Sequence, residues 1–171
     1  MTTALGRPLA WVAPALSGAV RVVLGLLWVR EGVTKYRAHF GRADILLVVD
    51  SAKQNSRVPG VFSDLLAQSL GRAPSLFGLI VPAWETLLGL ALVVGILSRV
   101  LACAAIVTLM TYWLSDQLIG QYPVMVVLAA TVLAFPVAAS TYSASRALSP
   151  PRARSISSSS PMPEATDSAS R

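Results

Sequence analysis

Four long apolar runs dominate the chain, separated by polar connections of very unequal length. They cover residues 15–36, 75–97, 99–118 and 122–142. A helix needs roughly 20 apolar residues to cross a bilayer, and each run is close to that length. The third run follows the second after only a residue or two around Ser98 and Arg99, a link that permits nothing but an antiparallel hairpin. The pattern predicts an all-α integral membrane protein: an antiparallel four-helix bundle with a long first loop. The first run is too long for the apolar part of a signal peptide and no A-x-A cleavage site follows it, so it is expected to be a retained span. Residues 1–14 before it are short and mixed.

The first loop, residues 37–74, carries five basic and three acidic residues and is too long for a simple turn. Ordered loops of that length usually have a task. It holds the apolar patch "ILLVV" at 45–49 and then "VPGVFSDLLAQSLG". In the latter, Val61/Phe62, Leu65/Leu66 and Ser69/Leu70 recur at spacing four. That spacing predicts a short amphipathic helix, started by Pro59 and Gly60, on the membrane surface or folded back over the bundle. In the fourth run no charged residue occurs between Gln117 and Ser145. Pro123 suits a helix start, and Pro136 is expected to kink or stop the helix. Residues 149–171 contain eight Ser and four Pro and are expected to form a disordered tail.

Composition sharpens the membrane reading. The 171 residues are 54% hydrophobic and 13% charged, with a mean hydropathy of +0.64. Soluble domains carry roughly 25% charged residues. The net charge of +6 does not point to nucleic acid, because the cations flank apolar runs or lie in the tail. One cysteine, Cys103, and one histidine, His39, exclude an internal disulfide, a C-x-x-C redox pair and a bis-histidine haem. There is no flavin, nucleotide or metal motif. Any electron carrier is a partner's or a diffusible small molecule.

Four spans put both termini on one side. Arg7, Arg99, Arg146, Arg152 and Arg154 fall there, against five basic residues in the long loop. The positive-inside rule counts Lys and Arg, so charge alone leaves the orientation tied.

The charges within the runs are the candidate chemistry, because an unpaired charge at mid-membrane costs roughly 2.5–3.5 kcal/mol even on lenient scales. Gly18, Gly25 and Gly32 recur every seven residues, and Arg21, Trp28 and Lys35 follow each by three. Together they form one packed seam. Glu31 precedes Lys35 by four, the favourable order for a helical ion pair. Arg30 is turned away from the seam, as an interface residue. The second run has Glu85, Leu92 and Arg99 at spacing seven, with Gly89 and Gly95 beside that line. Glu85 lies near mid-span and needs a cation, hydrogen-bond donors or a proton. Arg21 and Lys35 are its candidate partners. In the third run Thr108, Thr111, Tyr112 and Ser115 form a polar stripe that would complete a pocket, with Asp116 just beyond. Bland alternatives stay open: an interfacial Glu31–Lys35 pair without chemistry, a Thr/Tyr/Ser stripe that only glues helices, Trp28, Trp84 and Trp113 as interface belt or core, and a Cys103 that only packs.

Two segments, "RVVLGLLWVREGVTKY" and "ETLLGLALVVGILSR", resemble the DoxX family of small four-span membrane proteins. Arg21, Gly25, Gly32 and Lys35 fit the family's first-span pattern, and Glu85, Gly89, Leu92, Gly95 and Arg99 its second. The resemblance covers roughly residues 17–140. It implies a four-helix bundle with cytoplasmic termini in the cell membrane and a role in membrane redox chemistry. The DoxD branch is a subunit of thiosulfate:quinone oxidoreductase; other branches are linked to oxidative-stress complexes. The fourth span lacks the Gly-rich ending of many members, and the paired cysteines of thiol-handling relatives are absent.

The expectation is a membrane subunit of a quinone-linked oxidoreductase system, with Glu85 as proton carrier. Arg21, Glu31, Lys35, Arg99, Thr108, Tyr112 and Asp116 are the ligand or ion-pair candidates. Its partners would be the bilayer and a redox subunit, with room for a homo-oligomer. The rival class is non-enzymatic: a scaffold for a soluble redox partner, or a small-solute carrier.

Overall fold

The structure is a computed structural model that describes residues 6–117 and 119–135, with side chains from Pro14 onward. Among these residues every regular element is helical. They are α1 (Gly6–Arg37), α2 (Arg42–Gln54), α3 (Gly60–Ser69), α4 (Pro74–Val94), α5 (Ser98–Leu114) and α6 (Tyr122–Ala134), with a 3₁₀ turn at Leu70–Arg72. The first helix starts at Gly6, well before the apolar run. The expected end of the fourth run, with Pro136, lies outside the described residues, as do the tail at 149–171 and its arginines.

Helices α1, α4, α5 and α6 form an antiparallel ring. α1 packs on α4 and α6, and α5 closes the ring against the same two. Opposed pairs fix the direction: Arg21 meets Leu92 while Lys35 meets Glu85, and Ser17 meets Phe135 while Glu31 meets Tyr122. The α1–α4 seam is the tightest. A Cβ on Gly25 would stand 2.7 Å from the Gly89 carbonyl oxygen, and one on Gly89 would stand 2.5 Å from that of Gly25. No real side chain fits there, so the two backbones touch because both residues are glycine. The core beside the seam is Leu24, Trp28, Leu88, Leu92, Leu109, Met125 and Val132 with small alanines between.

Helix ends follow local chemistry. α4 stops at Gly95, whose φ of 82° is the left-handed conformation favoured by glycine. α5 ends earlier than the apolar run, at Leu114, where Asp116 turns the chain with φ 57°.

The long loop holds two helices where the sequence pattern predicts one. The "ILLVV" patch belongs to α2, which buries Ile45, Val49 and Ala52 at spacings of four and three. Asp44 Oδ2 accepts from the Gly41 N–H at 2.8 Å and so caps its start. α3 begins after Pro59 as expected, but only one residue of each apolar pair faces inward. Leu66 is buried, whereas Val61 and Leu65 are exposed. Val49, Ala52, Val58 and Leu66 form a small core joining α2 and α3, and α2 rests on α4. The pair is folded back over one end of the bundle.

Charged side chains occur inside the bundle while large apolar ones line its outside. Arg21 and Glu85 are buried, and Leu16, Val23, Leu26, Leu79, Leu87, Leu90, Val100, Val107 and Val127 are exposed. Among the described residues α4 alone is both long and apolar enough to cross a membrane; α5 and α6 are apolar but shorter.

Candidate functional site

At the end of the ring covered by α2 and α3, four helices converge on one polar cluster built around an ammonium group. Lys35, in the last turn of α1, donates to Glu85 Oε1 of α4 at 2.7 Å and lies 3.5 Å from Glu31 Oε2, one turn earlier on its own helix. The choice posed by the sequence is resolved: Lys35 turns across the bundle to Glu85 and keeps Glu31 as a longer second partner. Tyr112 of α5 donates its hydroxyl to the same Glu85 oxygen at 2.6 Å. From the α6 side, Gln121 Nε2 donates to Glu31 Oε1, and the Tyr122 hydroxyl lies 3.4 Å from Glu31 Oε2. The two tyrosine rings stack at 5.6 Å between centroids.

Glu85 is fully buried, and its second oxygen, Oε2, has no hydrogen-bond partner among the described residues. Glu31 and Lys35 retain slight side-chain exposure, 12% and 17%. One cation therefore sits between two carboxylates, the inner one sealed and the outer one nearer the surface. An ammonium has three protons. Two point at the carboxylates, and the Nζ also lies 5.5 Å from the Tyr112 ring centre and 6.0 Å from that of Phe40.

Both rings belong to a cavity of about 270 Å³ between the α2–α3 cap and the α4–α5 face. Lys35 and Tyr112 form its polar floor; Ile45, Leu66, Ile80 and Trp84 are among its apolar walls. Glu85 stands behind Lys35 and Tyr112, out of the lining but bonded to both.

The remaining candidates are distributed differently from expectation. Arg21 is not a partner of Glu85. Its Nη1 donates to the carbonyls of Leu92 at 2.7 Å and Val93 at 3.3 Å, the last carbonyls of α4. A cation at a helix C-terminus meets both the open carbonyls and the negative end of the dipole. It lies 14 positions from Lys35, roughly 21 Å along the helix. Arg99 is also away from the cluster. The turn at Gly95 breaks the seven-residue line, and Arg99 is exposed at the start of α5.

Thr108, Thr111 and Ser115 line the cavity wall, but their hydroxyls bond to carbonyls four residues back in the helix, at 2.8–2.9 Å. Thr108 also accepts from Trp84 Nε1 at 3.1 Å. Of that stripe only Tyr112 reaches Glu85. Asp116 joins a second polar knot, accepting from Asn55 Nδ2 and Arg57 Nη2 and so tying the α2–α3 connection to the α5–α6 turn. The Arg57 hydrogen bond holds its carboxyl below the usual aspartate range.

Trp28 is core, whereas Trp84, Trp113 and Cys103 are exposed, so Cys103 does not pack inside the bundle. Arg30 is on the outer face and reaches Gln121 Oε1 at 3.3 Å. Gln121, Tyr122, Asn55 and Arg57 are the functional contacts that the pattern does not reveal. The first two directly precede Pro123, a helix-start signal, but nothing in spacing pairs them with Glu31. Among the described residues no group of His, Cys, Asp or Glu could hold a metal ion.

Compared with protein-family models, curated proteins and solved structures, the chain matches none.

Proposed function

We propose that the chain is a DoxX-like, multi-pass membrane subunit of a quinone-linked oxidoreductase system, with both termini in the cytoplasm. The observation that carries the site is the buried Glu85 carboxylate, bonded to Lys35 and Tyr112, which face an apolar cavity large enough for an aromatic head group. Membrane residence is supported by the apolar exterior: the buried charges are bonded inside the bundle while large apolar side chains cover the outer faces of the helices. Soluble monomers rarely expose apolar surface on that scale.

Apolar walls with a few convergent donors are the usual make-up of a small-molecule site. A quinone bound there would take two electrons, supplied by a sulfur compound oxidised on a partner subunit, and two protons to become a quinol. Lys35 Nζ and Tyr112 Oη hold the protons nearest the cavity. Glu85 Oε1 joins the two donors, so it can return a proton to either. Glu31, the less sealed carboxylate, exchanges with Lys35 from the outer side.

The test is thiosulfate- or sulfide-dependent quinone reduction in membranes containing the chain. Loss of a positioned proton carrier typically costs about a hundredfold or more in rate, which is the effect expected for Glu85→Gln. Unchanged turnover in correctly inserted Glu85→Gln protein would remove the proton role and favour a scaffold.

A further inference from the structure

A second cavity, of about 480 Å³, lies on the other side of the tyrosine pair, between α5 and α6. Its chemistry repeats that of the first. Apolar walls come from Met110, Ile119 and Val126, an exposed tryptophan, Trp113, stands at the rim as Trp84 does in the first, and Tyr122 forms the inner wall as Tyr112 does there. Each tyrosine hydroxyl approaches one of the two carboxylates held by Lys35: Tyr112 on Glu85, Tyr122 on Glu31.

Two details point to a ligand rather than to an idle groove. At 3.4 Å the Tyr122 contact is longer than the roughly 2.5–3.0 Å of a normal O–H···O bond, so Glu31 is a weak partner for this hydroxyl. Gln117 lines both cavities, and its side-chain amide has no hydrogen-bond partner among the described residues. An amide with two donors on an otherwise apolar wall suits an oxygen-bearing aromatic ring.

We propose that this α5–α6 cavity is a second binding site for the same class of ligand, a quinone or quinol head group. The two sites then face each other across Tyr122, Glu31, Lys35, Glu85 and Tyr112, an unbroken chain of polar contacts. The inference rests on the quinone reading of the first cavity.

The full chain in lipid nanodiscs is titrated with a short-chain benzoquinone, and indole quenching is read in Trp113→Phe and Trp84→Phe variants; Trp11 and Trp28 remain in both, so the first and second cavities are read as the difference from the Trp84→Phe/Trp113→Phe double variant. Saturable quenching is expected in both, with two equivalents bound per chain. Val126→Phe, which fills the second cavity from one helical turn beyond Tyr122, should abolish the saturable Trp113 signal and leave that of Trp84 intact. Tyr122→Phe should weaken the Trp113 site about fivefold, the effect of one hydrogen bond; if that variant does not fold, Val126→Phe decides alone. Saturable quenching of Trp84 with only linear, collisional quenching of Trp113 would overturn the second site and leave the first standing. Linear quenching at both would overturn the first reading, and this one with it.

Discussion

Lys35 is the residue on which the cluster depends. It is the ammonium between two carboxylates, and one of them, Glu85, is fully buried. A buried pair contributes little net stability when intact, yet removing one partner strands the other charge. Lys35→Met is therefore expected to destabilise the bundle by about 3–5 kcal/mol. The double change Lys35→Met with Glu85→Leu should recover most of that loss, because the stranded charge is gone. Denaturant unfolding of the three proteins measures this directly, and equal destabilisation by the single and double changes would contradict it. Helical phase made Lys35 and Glu85 legible, since inward-facing charges in apolar runs must find each other. It misassigned Arg21, because phase gives the face of a helix and not the depth at which a neighbour ends. Only the position of the α4 C-terminus shows that Arg21 meets carbonyls rather than a carboxylate.

Among the elements, the α2–α3 cap forms the roof of the first cavity, and Asp116 fastens it. Because Arg57 and Asn55 hold the Asp116 carboxyl ionised, its pKa is lower in the folded chain than in the unfolded one. Its stabilising effect is thus complete above the unfolded value, roughly 3.9 for aspartate, and disappears as pH falls through the lower folded value. Hydrogen exchange of α2 and α3 should rise selectively in that acid window. In Asp116→Asn the cap should exchange faster at neutral pH and lose this acid step. Identical exchange in the two proteins would exclude the fastening role. The four long helices were legible from run length, although α1 starts earlier than its run, at Gly6, and α4 and α5 end where Gly95 and Asp116 turn the chain. α2 was not, because its buried stripe is only Ile45, Val49 and Ala52, interrupted by Asp50, Ser51 and Lys53. α3 was legible as a helix, but one that turns a single residue of each pair inward, Leu66 buried and Phe62 half-buried.

At the scale of the whole molecule, the glycine seam between α1 and α4 brings two backbones into contact, and that contact sets Lys35 opposite Glu85. α5 and α6 then add one tyrosine each. Arg21 secures the opposite end of α4. Charges inward and apolar side chains outward is the arrangement a bilayer favours, and the cavities at the covered end place apolar space beside proton donors. The most direct measurement is native mass spectrometry of the gently extracted chain. The account predicts a co-purifying mass of the quinone class on the wild-type chain, lost in the folded Lys35→Met/Glu85→Leu variant. A wild-type chain that carries a stoichiometric protein partner and no quinone-class molecule would contradict it.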